Sequence, residues 1–505
     1  MIFAKLVSGV TRQRDTGDAS GFIKYLAVFC CLGFSVSCST SNGIDPKGSF
    51  SNASLNGRYT YVMSGTRFGQ VSGNGLFQEA GVFLADGDGH ISAGLDDLVQ
   101  GNLVSESLTG SYSIEADGTG TITLTVGGNT IQWVVTLASE SQVYLVEFDQ
   151  FGTGGGSARK QSLPTVAMPP SGSFAFRTHN AALAGSVTKV GSFTLNADGT
   201  LFGNEDVLRQ GILIAPSISG AMSPADANGR GTITFLEDTG IQSNFRYYVV
   251  DANTVNLLQI DANSLGEGRA ELRTISTFDN STLQNAFVYR SGGDTPSSVG
   301  GANSIGTFTT DGNGHITAGS HDSMQDGTPV SNDQVTGIYS IDGRGHMNLV
   351  LAPQGFAPIE EVGWLVNSQR GFFLVNSPDR VEDGRFDQQQ GAAFAGASLR
   401  GQFGFYLSGY DTQTPPLVSK LGVIAFDGQG TATFRDYLVN RGGVTTRKGG
   451  LSGNYNVTAN GRISASVPGV TQTLIGYLIN VNSGYLLVAD PGSEQPGKLG
   501  QVAQP

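Results

Sequence analysis

An all-β fold of four tandem antiparallel meander units, each of about eight short strands, is what this 505-residue sequence predicts. Three observations carry that prediction. Apolar and polar residues alternate with a period of two, tight-turn dipeptides separate the alternating runs, and a set of landmarks recurs about every 110 to 118 residues, a whole domain per repeat.

Each unit begins with alternating aromatics: "GRYTYVMSG" from Gly57, "SGSFAFRTHN" from Ser171, "QNAFVYRSGG" from Gln284 and "RGQFGFYLSG" from Arg400. In the last, Phe403, Phe405 and Leu407 share one face of a strand and Gln402, Gly404 and Tyr406 the other. A Gly-led strand follows at Gly81, Gly191, Gly306 and Gly422, then a second glycine landmark at Gly110, Gly220, Gly337 and Gly453. The pairs Asp117-Gly118, Asn228-Gly229, Asp342-Gly343 and Asn460-Gly461 predict type I′ hairpins. Eight hairpin-linked strands leave two open edges, which closure into a small barrel removes. A β-sandwich, or a propeller with two blades per unit, are the alternatives. The expected organisation is an export segment over 1–38, a flexible tether over 39–54, and repeat units over 55–163, 170–275, 283–390 and 399–503, with short linkers.

Composition restricts the partners. The chain carries 73 glycines, and charged residues make up only 14 %. The formal charge is -13, and a surface of that sign repels phosphate backbones, so no nucleic-acid partner is expected. An apolar run, Tyr25 to Phe34, follows Lys24 and is too short to span a bilayer, which indicates a cleaved export signal. All three cysteines, Cys30, Cys31 and Cys38, lie in or beside it, so the folded part has no disulfide.

"FSVSC" before "STSNG" resembles the lipobox of bacterial lipoproteins, departing from it at Ser35, where a leucine is usual. The resemblance implies lipidation of Cys38 and a membrane partner through that lipid. The repeat region, Leu55 to Val502, resembles a group of poorly characterised bacterial lipoproteins and secreted proteins built from tandem Gly-rich β units, with a pattern like "GxYxFxxSG... GxFxxDGxGxIxxG... GxYxIxxDGxGT... LLxxD". Unit two departs from it at Pro224. That likeness implies an address in the cell envelope, at the outer membrane or cell surface, with periplasmic or secreted alternatives, and implies no activity.

Asp86-Gly-Asp88-Gly89 is the most tempting metal motif, and Asp86 and Asp88 are its candidate calcium ligands. With Gly89 as the invariant EF-hand glycine, however, the first and twelfth positions would be Leu84 and Leu95, which cannot ligate. The three internal copies, starting at Asn196, Asp311 and Asp427, keep Asp or Asn first and Gly fourth, and none has a carboxylate at both end positions of the loop, so a bulged type I turn is the better expectation. A recurrent acid at Asp97, Asp206, Asp322 and Asp436 is read as a fold requirement before a ligand contact. His315 and His321 stand too far apart on one strand for a shared ion, and the adjacent pairs Asp96-Asp97 and Glu360-Glu361 point to opposite faces.

No nucleophile elbow, phosphate loop or zinc-protease motif occurs, so no catalytic residue and no cofactor is assigned. The function expected is an exported, lipid-anchored envelope protein that binds, adheres or scaffolds, with an envelope polymer, glycan or protein as partner. The alternatives are a carrier holding small apolar ligands inside its barrels and, less favoured, a glycan-active enzyme.

Overall fold

The computed structural model describes residues 50–68, 75–162, 171–180, 186–294, 301–325, 327–391, 393–410, 417–467, 472–491 and 495–501; the stretch expected to be an export segment, with Cys38, lies outside them. The strands fall in one body, Pro46–Pro505. In the first unit, β1 (Asn56–Arg67), β2 (Gly75–Asp86), β3 (His90–Gln100), β4 (Asn102–Ile114), β5 (Thr119–Val126), β6 (Asn129–Ser139), β7 (Gln142–Glu147) and β8 (Gly152–Lys160) pair in sequence order. β1 then pairs with β8, opposing Tyr61 to Ala158, so the sheet closes and no ladder is left open.

The same closure recurs over Gly172–Leu272, Ala286–Gln388 and Arg400–Gln501, where first and last strands pair. Barrels therefore form, and neither the sandwich nor the propeller alternative does. In barrels two and four the fourth strand is split, into Ile212–Ile214 and Ser217–Met222, and into Val444–Lys448 and Leu451–Val457. Pro216 lacks a ladder N–H, and Gly450 adopts φ +71°; the third strand pairs with both pieces and keeps each ring closed.

The period-two pattern sets what lies inside. Phe403, Phe405 and Leu407 enter the core of barrel four, while Tyr406 points out of it. Barrel one is filled by Tyr59, Tyr61, Phe83, Trp133 and their neighbours, with Tyr59 and Phe83 stacked at 5.4 Å and Tyr61 edge-on to Trp133 at 5.0 Å. The Gly-led second strand serves this packing. A Cβ on Gly81 would stand 2.7 Å from the Tyr61 ring, on Gly191 2.5 Å from Phe176, and on Gly306 2.6 Å from Tyr289. The glycine lets the aromatic of the first strand lie flat across its neighbour.

The turns correct one expectation. A type I′ hairpin needs positive φ at both central residues, but only Gly118 (+86°), Gly229 (+76°) and Gly461 (+82°) are positive in their pairs. Gly118 N–H donates to Glu115 and Glu115 N–H to Thr119, which is a type I turn with a left-handed glycine bulge. In barrel three the left-handed residue is Gly345, not Gly343.

The end of the stretch expected to be a flexible tether is structured. Phe50 is buried in the first core, and Asn52–Ser54 form a 3-10 turn. Tyr112 donates to Leu55 O at 2.7 Å and accepts from Gly87 N at 2.7 Å, fixing this plug to the barrel end. Phe278 with Tyr339, and Phe394 with Tyr455, repeat the device in barrels three and four. Met222 takes the tyrosine's place in barrel two, its N–H donating to Gly199 O as that of Tyr112 does to Gly89 O.

The barrels join side by side. Contacts between strands link barrel one to two, two to three, three to four and four back to one, closing a ring. Four apolar clusters fill the seams. Ala80, Val82 and Val99 meet Tyr248 and Leu258; Val190 and Leu208 meet Trp364 and Phe372; Ile305 and Met324 meet Tyr477 and Leu487; Leu421 and Leu438 meet Val134 and Val146. In every seam the second and third strands of one barrel cover the sixth and seventh of the next.

Gly306→Ala should lower stability by ~1–3 kcal/mol, because its Cβ would meet Ser320 O at 2.3 Å and the Tyr289 ring. Urea unfolding followed by tyrosine fluorescence measures this; an unchanged midpoint would contradict the packing role.

Candidate functional site

The recurrent aspartates lie at the seams. Asp97, at the end of β3, receives a fork from Arg230 of barrel two at 2.8 and 2.7 Å, together with the Tyr248 hydroxyl. Asp322 receives the same from barrel four: Arg462 at 2.8 and 2.6 Å and Tyr477 at 2.6 Å. At Asp206 the partners from barrel three are His346 at 3.1 Å and Trp364 Nε1 at 2.7 Å. The donors are cross-strand neighbours, Arg230 opposite Tyr248, His346 opposite Trp364 and Arg462 opposite Tyr477.

The closing seam differs. Barrel one has Thr119 opposite Thr136 at this position, and Asp436 is held by Arg447 of its own unit at 2.8 Å. Asn440 bridges instead, donating to Glu147 O at 2.5 Å and Gly152 O at 2.8 Å and accepting from Thr153 at 2.9 Å. Asp97, Asp206 and Asp322 are thus inter-barrel clamps, in line with a fold requirement, and Asp436 is held within its own unit. The sequence held the signal that they take partners from the next unit, because the paired Arg, His, Tyr and Trp residues recur too, but only topology shows which barrel they reach.

A polar cleft of about 260 Å³ opens toward the ring axis, lined by Arg177, His179 and Glu267 of barrel two, Arg290, Asn303, Asp383 and Arg385 of barrel three, and Ser408 and Tyr410 of barrel four. Most of the charges in and near it are paired. Asp383 is held by Arg177 at 2.5 Å and His179 at 2.9 Å, and Asp387 by Arg385, Arg370 at 2.7 Å and Tyr485. Glu271 meets Arg269 at 2.6 Å and Arg370 at 2.8 Å. Burial alone would raise all three carboxyls, but the guanidiniums outweigh it: Glu271 is held down at about 2, and Asp383 and Asp387 well below their usual range.

The arginines feel the opposite pressure. Burial, reinforced by the nearby Arg159, pulls Arg269 down to about 9, and burial lowers Arg290 and Arg159 as well. Arg290 lies over the Tyr485 ring, 5.3 Å from its centre, and its Nε is buried with no acceptor among the described residues. Nothing in the local sequence singled this arginine out, because its neighbours at the axis are distant in sequence: Asn303 and Asp383 from other strands of its own barrel, and Arg177, Ser408 and Tyr485 from other units.

The metal candidates suggested by the turn motif fall elsewhere. Asp86 accepts from the backbone N–H of Asp88 at 2.7 Å and of His90 at 3.0 Å, while its second oxygen meets the His90 ring at 3.0 Å. These bonds hold its carboxyl down at about 2, and Asp88 is exposed at the turn. The Asp86 oxygens are engaged in closing a hairpin. Asp311 and Asp427 cap their turns in the same way. Asp96 and Asp97 do diverge: Tyr61 donates to Asp96 inside the barrel at 2.6 Å, while Asp97 faces the seam. His321 is buried against Tyr289, and desolvation pulls it down to about 4; His315 sits at an exposed turn. Among the described residues no cluster of three His, Cys, Asp or Glu side chains could hold a metal.

The clamps and the buried carboxyls can each be tested. Asp322→Asn or Arg462→Ala should cost ~3–5 kcal/mol, since either leaves a desolvated partner uncompensated, and should expose the seam between barrels three and four to limited proteolysis; wild-type resistance would refute the clamp. Inside barrels one and two, burial raises Glu147 to about 8 and Glu205 to about 7, each opposed by a cation, Arg67 or Lys189. A raised carboxyl stabilises the fold below its unfolded value near 4.5, and this contribution is lost as pH rises toward the folded value. The melting temperature should therefore fall from about pH 5 to 9, and more shallowly in Glu147→Gln; identical slopes would contradict the assignment.

No family model and no curated protein matches the sequence. Among solved structures, intact Ap-TbpB with its N and C lobes is similar at 8 % identity and a TM-score of 0.17, over 71 % of this chain and 83 % of that one. A DUF3598-family protein of unknown function from Nostoc punctiforme is similar at 11 % identity and a TM-score of 0.15, over 44 % of this chain and 97 % of that one.

Proposed function

We propose that the protein is an exported, lipid-anchored binding scaffold of the bacterial cell envelope, in which Cys38 carries the lipid and the ring of barrels presents a polar site at its axis. The observation that carries the binding role is the cleft where barrels two, three and four converge, an opening lined by charged and hydrogen-bonding side chains. Among the described residues the barrel cores are packed with the protein's own aromatic and aliphatic side chains, which favours a site outside the barrels over a carrier of apolar ligands within them.

The same packing supports a tether in place of insertion. A membrane-spanning barrel turns apolar side chains to lipid and polar ones to its lumen. Here the aromatics are inside, and the outward positions of β4 alternate into solvent. Twelve residues after Cys38 the chain reaches Phe50 at the end of barrel one, so a lipid on Cys38 would hold the ring close to the membrane surface. The glycan-active alternative gains no support from the adjacent pair Asp96-Asp97, whose side chains separate to barrel interior and seam.

Cys38→Ser should move the protein from the membrane to the soluble fraction and alter its processing; unchanged fractionation would refute the anchor. In that soluble background, Ser408→Trp should fill the cleft and abolish retention on isolated cell-envelope material. Equal retention would place binding elsewhere on the ring.

A further inference from the structure

We infer that the axial cleft is an oxyanion site, with Arg290 as the gripping residue, for a small ligand bearing a phosphate or carboxylate group. This deepens the binding reading above and rests on it. A guanidinium removed from water is expensive unless a counter-charge or acceptors replace its hydration. Around the axis Arg177, Arg269, Arg370 and Arg385 each meet that need with Glu271, Asp383 or Asp387, and Arg159 donates to Gln142 at 3.1 Å. Arg290 has the Tyr485 ring beneath it and a buried Nε with no acceptor among the described residues, and it lines the open volume.

An anion supplies what this geometry lacks. The planar guanidinium matches two oxygens of a phosphate or carboxylate, and stacking on Tyr485 fixes its plane. Arg177 and Arg385 add positive potential from neighbouring strands, while Asn303 and Ser408 offer neutral hydrogen-bonding groups. Glu267 and Asp383 are the opposing charges on the wall: Glu267 interacts favourably with Arg177, and Asp383 is held by Arg177 and His179 while also attracting Arg290. A cleft of about 260 Å³ has room for an oxyanion with a short organic stem. Such a concentration of cations in a chain of net charge -13 is a local feature, so it points to a ligand at the axis instead of a polyanion spread over the surface.

Isothermal titration of the full Cys38→Ser chain with inorganic phosphate and, separately, with succinate tests the site and distinguishes the two chemistries. Saturable binding to the parent chain, weakened at least tenfold in Arg290→Gln and partly restored in Arg290→Lys, with unchanged circular dichroism, is the expected result. Absence of saturable binding by both anions, or Arg290→Gln binding as tightly as the parent, overturns the inference. If the parent is retained on envelope material while neither anion binds, the oxyanion site fails and the binding role stands. If phosphate or succinate binds through Arg290 while Ser408→Trp leaves envelope retention intact, the site stands and the proposed function fails.

Discussion

Everything else in this molecule depends on the burial of an apolar stripe that closure of each barrel leaves on the outside. A closed sheet satisfies its hydrogen bonds and fills its interior, yet residues such as Val82, Val190, Ile305 and Leu421 still face outward. Each stripe is covered by the sixth and seventh strands of the following barrel, an interface between two different patches. Repeated head to tail, such a contact makes either an open filament or a ring, depending on whether its rotation closes. Four copies on one chain close, with the stripe of barrel four covered by Val134, Ala138 and Val146 of barrel one.

Closure explains the distribution of charge. The Asp97, Asp206 and Asp322 clamps sit beside the apolar seams, where an aspartate excluded from water is matched by a donor pair across the interface. Bringing four barrels together also forces their first and last strands toward one axis, which concentrates arginines from separate repeats. The carboxylates Glu271, Asp383 and Asp387 offset part of that charge and are held ionised by it. The axis is therefore a product of assembly, and no single barrel contains it.

This separates what was legible in the sequence from what was not. The barrels were legible because their determinants are local: a period of two in "QFGFYL", glycines at Gly81 and its copies, and turns that repeat in each unit. Turn type was missed because Asp-Gly and Asn-Gly fit both two-residue I′ loops and three-residue type I loops with a bulge, and one residue of loop length, Ala116 in the first barrel, separates the two. Plugs such as Phe50 were read as tether because Ser, Asn and Gly surround them, although a single buried aromatic suffices to dock a short segment. Ring contacts escaped entirely. Tyr248 and Asp97 are 151 residues apart, and the outward pattern of a strand does not say which barrel covers it.

The closing seam shows how much of the clamp closure requires. Barrels one and two, two and three, and three and four are each joined by a linker as well as a charged clamp, with Gln161 and Gln389 also binding the next barrel's sixth strand. Barrels four and one share no linker, and there Thr119 and Thr136 replace the arginine–aromatic pair. Once three seams are formed, however, the fourth pair of surfaces is already held together, so its association is intramolecular and needs less intrinsic affinity. Apolar burial and the Asn440 bridge can then suffice where the other seams use an ion pair. With Asp436 satisfied within its own unit by Arg447, and with Glu115 and Asp117 of barrel one adding attraction to that largely exposed arginine, the closing seam keeps this charge at its rim where the other seams bury an aspartate against donors from the next barrel.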